Sequence, residues 1–159
     1  MANLEIRVAK PEDAETILGF VTELAIYEKA EHEVLASKED IARTLTNREA
    51  EAVICQYEGE AIGFALYFFN YSTWVGRPGL FLEDLYVAPE YRGIGAGKAL
   101  LVYLAGLAKA KGCGRFEWNV LDWNEPAINF YRSLGAKSQD EWITYRLDVD
   151  GIAALADDT

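Results

Sequence analysis

The chain has 159 residues, 51% of them hydrophobic and 13% aromatic, with a formal net charge of −11. That apolar content supports one domain with a sizeable core and excludes a disordered chain. The acidic balance makes nucleic acid and anionic membranes poor partners, and no stretch approaches the roughly 20 apolar residues that a membrane span needs.

In chain order, Leu4, Ile6 and Val8 alternate with Glu5 and Arg7, the pattern of a half-buried strand. Lys10-Pro11-Glu12-Asp13 opens a helix that carries Ile17, Leu18, Val21, Leu24 and Ala25 at helical spacing. Residues 27–37 form an acid-rich loop with Glu28, Glu31 and Glu33, and Ser37 caps a second helix bearing Ile41 and Leu45. Residues 52–57 and 61–69 are apolar runs around Glu58-Gly59-Glu60, which predicts a hairpin. Residues 71–78 read as a connecting loop containing Trp74, and residues 80–87 as the next strand. A long helix over 96–111 is apolar nearly all round, so it is expected to be buried against a sheet. Gly112 and Gly114 end it, and a strand over 115–121 follows. Asn124-Glu125-Pro126 starts a helix, Leu134-Gly135-Ala136 stops it, and residues 143–147 read as a last strand. Residues 148–159 are small and polar and read as a weakly ordered tail. The order β-α-α-β-β-β-α-β-α-β predicts a mixed α/β domain over residues 1–159, one layer of sheet with helices on its faces.

Two cysteines, Cys55 and Cys113, lie outside any C-x-x-C pair, and His32 is the only histidine, so no metal site is expected. The start, Met1-Ala2-Asn3-Leu4-Glu5, lacks the basic residues and apolar run of a signal peptide, which points to the cytoplasm. The negative surface would attract a small cationic substrate, although net charge also serves solubility alone.

Chemistry concentrates in residues 82–98, where the strand ends at Pro89 and Arg92, Gly93, Gly95 and Gly97 lead into the long helix. Strand, glycine turn and helix start aim several N–H groups at one spot, where the helix dipole favours an anion. The dinucleotide pattern G-x-G-x-x-G fails, because Lys98 or Leu100 falls where its last glycine belongs. The pattern G-x-x-x-x-G-K-[ST] fails as well, with Arg92 and Ala99 at its ends. The pattern [RQ]-x-x-G-x-[GA] is filled by Arg92, Gly95 and Gly97. The same residues would also serve a tight turn with no ligand.

A second motif spans residues 121–136. Asn124 can cap a helix with Pro126 in its first turn, and Ala127, Phe130 and Tyr131 share one face. Tyr131 would also fit as a core tyrosine bonded to a carbonyl.

The two motifs together, R-x-x-G-x-G and N-x-x-A-x-x-F-Y-x-x-x-G-A, resemble the signature of the GNAT acyl-CoA-dependent N-acetyltransferases. Leu82-Glu83-Asp84-Leu85-Tyr86-Val87, Trp123-Asn124-Glu125-Pro126 and Tyr27-Glu28 are closer still to the diamine acetyltransferase family, which holds the spermidine/spermine and thialysine acetyltransferases. The resemblance covers most of the chain. It implies a GNAT fold with a mostly antiparallel twisted sheet, splayed at the CoA site, and a homodimer. It also implies direct transfer from acetyl-CoA to a primary amine, with no covalent enzyme intermediate.

On that resemblance, Glu83 matches the proton acceptor and Tyr131 the general acid that protonates the departing thiolate. Asp84, expected on the opposite face of a regular strand, is the reserve base or a structural hydrogen-bond partner. Backbone N–H groups of Leu85, Tyr86 and Val87 suit the oxyanion and the pantetheine arm. The amides of Gly93, Ile94, Gly95, Ala96 and Gly97 suit the pyrophosphate, with Arg92 and Lys98 adding charge. Asn124, Pro126 and Ala127 complete the CoA contacts. Tyr27, Glu28 and Trp74 match the amine pocket. Polyamine-type members carry an acid before the Pro-Trp of the loop near residue 72, where this chain reads Tyr71-Ser72-Thr73-Trp74. One carboxylate fewer weakens capture of a distant second ammonium, so a thialysine-like, lysine-like or short diamine substrate competes with a polyamine. The alternatives are a noncatalytic acyl-CoA-binding module and a protein lysine or N-terminal acetyltransferase.

Overall fold

The computed structural model describes residues 3–158 and divides them into two compact units, residues 3–121 and 122–158. The first unit holds β1 (Leu4–Val8), α1 (Ala14–Tyr27), α2 (Lys38–Asn47), β2 (Glu51–Tyr57), β3 (Glu60–Ser72), β4 (Arg77–Val87), α3 (Ala96–Ala110) and β5 (Arg115–Trp118). The strands form one sheet in the order β1-β2-β3-β4-β5. The pairings are antiparallel except for β4 with β5, which is parallel. This mixed α/β architecture, a mostly antiparallel sheet flanked by helices, matches the expected fold class.

Local chemistry explains the elements. Arg7 grips Asp13 through two hydrogen bonds of 2.8 Å, and Asp13 also accepts from Lys10 N, so the chain leaving β1 is fastened to the turn that opens α1. Ser37 and Asp40 form the reciprocal cap foreseen for α2: Asp40 N donates to Ser37 Oγ and Ser37 N to Asp40 Oδ2. The β2–β3 turn is Glu58-Gly59, both at positive φ (51° and 82°), the condition for a two-residue turn that matches strand twist.

The β3–β4 hairpin is longer than the sequence suggests. Tyr71 and Pro78, expected in a loop, pair across the ladder, and only residues 73–76 turn. The proline is tolerated because it gives up only its donor; its carbonyl accepts from Gly114 N at 2.9 Å.

Alternation along the strands sorts two cores. Ala52, Ile54, Phe64 and Tyr86 pack with Ala14 and Ile17 of α1 and Ile41 of α2. The intervening Val53 and Cys55 are wholly buried on the other side of the sheet, and α3 packs on the strands with Leu100, Leu101 and Leu104 buried. Gly112 at φ 71° ends α3 with paired bonds from Cys113 N to Ala108 O and Gly112 N to Lys109 O.

The second unit holds α4 (Glu125–Ser133) and α5 (Val149–Ala156). The strand expected over residues 143–147 does not form: the stretch is irregular, and Ile143, Tyr145 and Leu147 are exposed. Alternation marks a surface that suits a strand but supplies no ladder partner. The tail read as weakly ordered carries α5, capped by Asp148 Oδ1 accepting from Gly151 N at 2.9 Å, with no buried residue. Thr159 lies outside the described residues.

Candidate active site

The site in the first unit is organised by two irregularities of β4. The first is a bulge. Leu82 lies opposite Tyr67 and Asp84 opposite Leu66, so neighbouring residues of β3 face residues two apart on β4, and Glu83 is the extra one. The bulge reverses the alternation. Asp84, opposite Leu66, joins Tyr86 on the face that α1 and α2 cover, while Glu83 stands exposed at the kink.

The second is a parting of the sheet. β5 pairs with β4 only from Gly79 to Leu82. Beyond the bulge, β4 pairs among the described residues with β3 alone, as far as Val87. The other edge of Leu85, Tyr86 and Val87 thus carries no strand among the described residues, the parting expected of a splayed sheet. Gly63 lets β3 follow β4 closely here, since a Cβ on it would strike Tyr86 O and crowd Val87.

β4 runs on into the glycine cradle. A single 3-10 turn, Pro89–Tyr91, is fastened to the β2–β3 hairpin: Tyr91 Oη donates to Glu60 Oε2 at 3.1 Å, and its ring lies 5.9 Å from Tyr57. Gly93 and Gly95 then take φ of 87° and 88°, a region that side chains disfavour, and Gly95 is the N-cap of α3. The first internal bond of α3 runs from Ala99 N to Gly95 O, so the N–H groups of Ala96, Gly97 and Lys98 precede the helical ladder. Gly97 lies within the helix with open space around it. Such a terminus suits an anion, and Ile94 and Lys98 stand exposed on its rim.

An acidic group flanks it. Glu28 caps the C-terminus of α1, and burial raises its pKa. Asp84 is raised to about 6, first by burial and then by the charges of Glu83 and Glu28. No hydrogen bond contributes to that shift, so the structural bonding role foreseen for Asp84 is not what sets its character. Tyr27, the last residue of α1, adjoins this group. Trp74 sits 77% exposed on the β3–β4 turn. Six residues of β4 separate that turn from Glu83, about 20 Å of strand, so the hairpin does not bring Trp74 to the acidic group.

In the second unit, Asn124 caps α4: its Oδ1 accepts from Ala127 N at 3.4 Å, with Pro126 in the first turn. Tyr131 lies on α4 with its ring 5.7 Å from Phe130. Gly135, at φ 89°, closes the helix through Ala136 N to Tyr131 O and Gly135 N to Arg132 O.

Residues 12–136 match the model of the acetyltransferase (GNAT) family. The chain belongs to the GNAT acetyltransferase family. This acetyltransferase is 37% identical to the thialysine N-epsilon-acetyltransferase of Mus musculus over 98% of this chain and 99% of that one. It is 36% identical to the enzyme of the same name from Caenorhabditis elegans, covering 99% of this chain and all of that one. Among solved structures, an integron cassette protein from the mobile metagenome of V. cholerae superposes with a TM-score of 0.80 at 26% identity, over 99% of this chain and 100% of that one. Acetyl-CoA is the co-substrate of the family, and the chemistry here suits it: the N–H groups that precede the α3 ladder are donors of the kind a pyrophosphate needs, and the edge of β4 beyond Leu82 is one to which an extended arm could pair.

Sequence reasoning missed three features of this acetyltransferase: the bulge at Glu83, the exchange of faces it gives Asp84, and the Tyr91–Glu60 fastening. Only the glycine at position 63 hinted at the close strand approach.

Proposed function

We propose that the chain transfers the acetyl group of acetyl-CoA to a primary amine of a small cationic substrate of the thialysine, lysine-like or short diamine class. The observation that carries this reading is the Glu28–Glu83–Asp84 carboxylate group. An aspartate raised by its burial and by the charges of Glu83 and Glu28, beside a Glu28 raised by burial, forms a poor structural device and a good ammonium receptor. The likeness to thialysine acetyltransferases over the whole chain supports the substrate class.

An alkylammonium has a pKa of about 10, so at neutral pH about one molecule in a thousand is nucleophilic. Glu83, exposed at the kink and next to the open edge of β4, accepts the ammonium proton directly or through water. Asp84 and Glu28 hold the cation. The amine nitrogen attacks the thioester carbon, and the carbonyl oxygen takes the charge. N–H groups of Leu85, Tyr86 and Val87 are the donors suited to it. As the C–S bond breaks, the sulfur takes the electron pair and a proton from Tyr131, whose hydroxyl is the general acid of this reading. The amides of residues 93–98 bind the pyrophosphate, and Asn124, Pro126 and Ala127 the pantetheine arm. The family expectation of a homodimer belongs to the same proposal, and sedimentation analysis tests it.

The experiment is thiol release from acetyl-CoA across thialysine, lysine, putrescine and spermidine. Turnover with thialysine or lysine above spermidine supports the reading. Acetyl-CoA binding without turnover on any amine overturns it in favour of a noncatalytic module.

A further inference from the structure

Arg92 heads the R-x-x-G-x-G pattern, which led us to expect its charge beside the pyrophosphate. Its side chain turns the other way. Arg92 Nε donates to Val87 O at 3.2 Å, which folds the chain back along the end of β4. The guanidinium carbon then lies 5.9 Å from the centre of the Tyr27 ring and 6.0 Å from that of Tyr86, both within cation–π reach. The two rings differ in setting. Tyr86 is buried and packs 5.7 Å from Phe20 of α1, whereas Tyr27 ends α1 and is 41% exposed. The carbonyl end of α1 also carries the negative end of its dipole, which favours a cation. One guanidinium therefore bridges the fixed ring of β4 and the outer ring of α1.

We propose that Arg92 is a positioning residue of the amine site: it holds the Tyr27 ring beside Glu28 while the pyrophosphate is left to the backbone amides of residues 93–98. The proposal rests on the amine-acetyltransferase reading given above. It makes one side chain the link between the acyl-donor loop and the helix end that receives the amine. A lysine cannot replace it, because a compact ammonium lacks both the planar face that lies on two rings and the Nε that meets Val87 O.

The test compares the wild type with Arg92→Lys, Tyr27→Phe, Tyr27→Leu and the double variant Arg92→Lys/Tyr27→Leu. Amine KM is measured by thiol release with the amine that the wild type prefers, acetyl-CoA Kd by calorimetry, and Tm by thermal denaturation. Arg92→Lys and Tyr27→Leu should each raise amine KM about fivefold, Tyr27→Phe should raise it less because the ring is kept, and the double variant should be no worse than either single. Acetyl-CoA Kd should stay within about twofold for Arg92→Lys, as expected if the amides carry that contact. An acetyl-CoA Kd about tenfold higher with amine KM unchanged overturns the proposal, and so do additive losses in the double variant. A wild type that binds acetyl-CoA but acetylates no amine sinks the amine reading instead. The Tm cycle then still decides whether the Arg92–Tyr27 pair is coupled, and additive Tm losses overturn it.

Discussion

Glu28, at the end of α1, acts electrostatically on Asp84 of β4: with burial and the neighbouring Glu83, its charge holds the Asp84 carboxyl near pH 6. Asp84 therefore keeps its proton to a higher pH than an isolated aspartate does.

That relationship predicts a pH dependence. The folded pKa of Asp84, about 6, lies above its ordinary value of 3.8, so the native state binds its proton more tightly than the unfolded state does. The stability this provides is present below about pH 4 and is lost as pH rises through 6. About two units at about 1.4 kcal/mol each give an upper figure of about 3 kcal/mol. Asp84→Asn should therefore be more stable than the wild type at pH 7, by about 1–3 kcal/mol, and close to it at pH 4, as urea unfolding at the two values would show. The amine KM of the wild type should fall as pH rises through about 6, and that fall should vanish in Asp84→Asn.

Tyr131→Phe removes the proposed proton donor and no packing volume to speak of. Its kcat should drop about 100-fold while acetyl-CoA affinity and Tm stay near the wild type. Calorimetry beside thiol release separates the two, and an unchanged kcat removes Tyr131 from the mechanism.

Two glycines of the cradle should respond oppositely. Gly95 sits at φ 88° with open space around it, so Gly95→Ala meets backbone strain and no clash, at a cost of about 1–2 kcal/mol together with weaker acetyl-CoA binding. Gly97 lies in α3 without positive φ and with nothing within 4 Å of a Cβ. Gly97→Ala should stabilise the protein by about 0.4–1 kcal/mol and retain acetyl-CoA binding, since the pattern admits alanine there. Thermal denaturation with and without acetyl-CoA reads both.

Gly63→Ala probes the strand approach that precedes the open edge. The added methyl would meet Tyr86 O and crowd Val87, both at the end of β4. A loss of about 1–3 kcal/mol is expected, with acetyl-CoA binding weakened further because Tyr86 and Val87 shift. Denaturant unfolding and acetyl-CoA titration on the same sample check this.

The sequence by itself determined much of this protein. A period-two run announced β1, and two apolar runs around an E-G turn announced β2 and β3, because alternation, apolar runs and turn chemistry are local. Ser37 with Asp40, and Gly112 and Gly135 past their helices, announced α2 and the ends of α3 and α4, because caps are satisfied within a few residues. The cradle at Arg92, Gly93, Gly95 and Gly97 was legible for the same reason: a glycine at positive φ before a helix is a local requirement. What only the tertiary structure decided depends on a partner strand or a distant ring. The bulge that sends Asp84 to the α1 face is defined by the register of β3, which no spacing within β4 reveals. The loop expected over residues 71–78 became ladder, and the strand expected over 143–147 did not form, because a strand is settled by the edge it meets and not by its own pattern. The direction of Arg92 was settled by Tyr27 and Tyr86, two rings brought together by packing from 65 residues and 6 residues away along the chain.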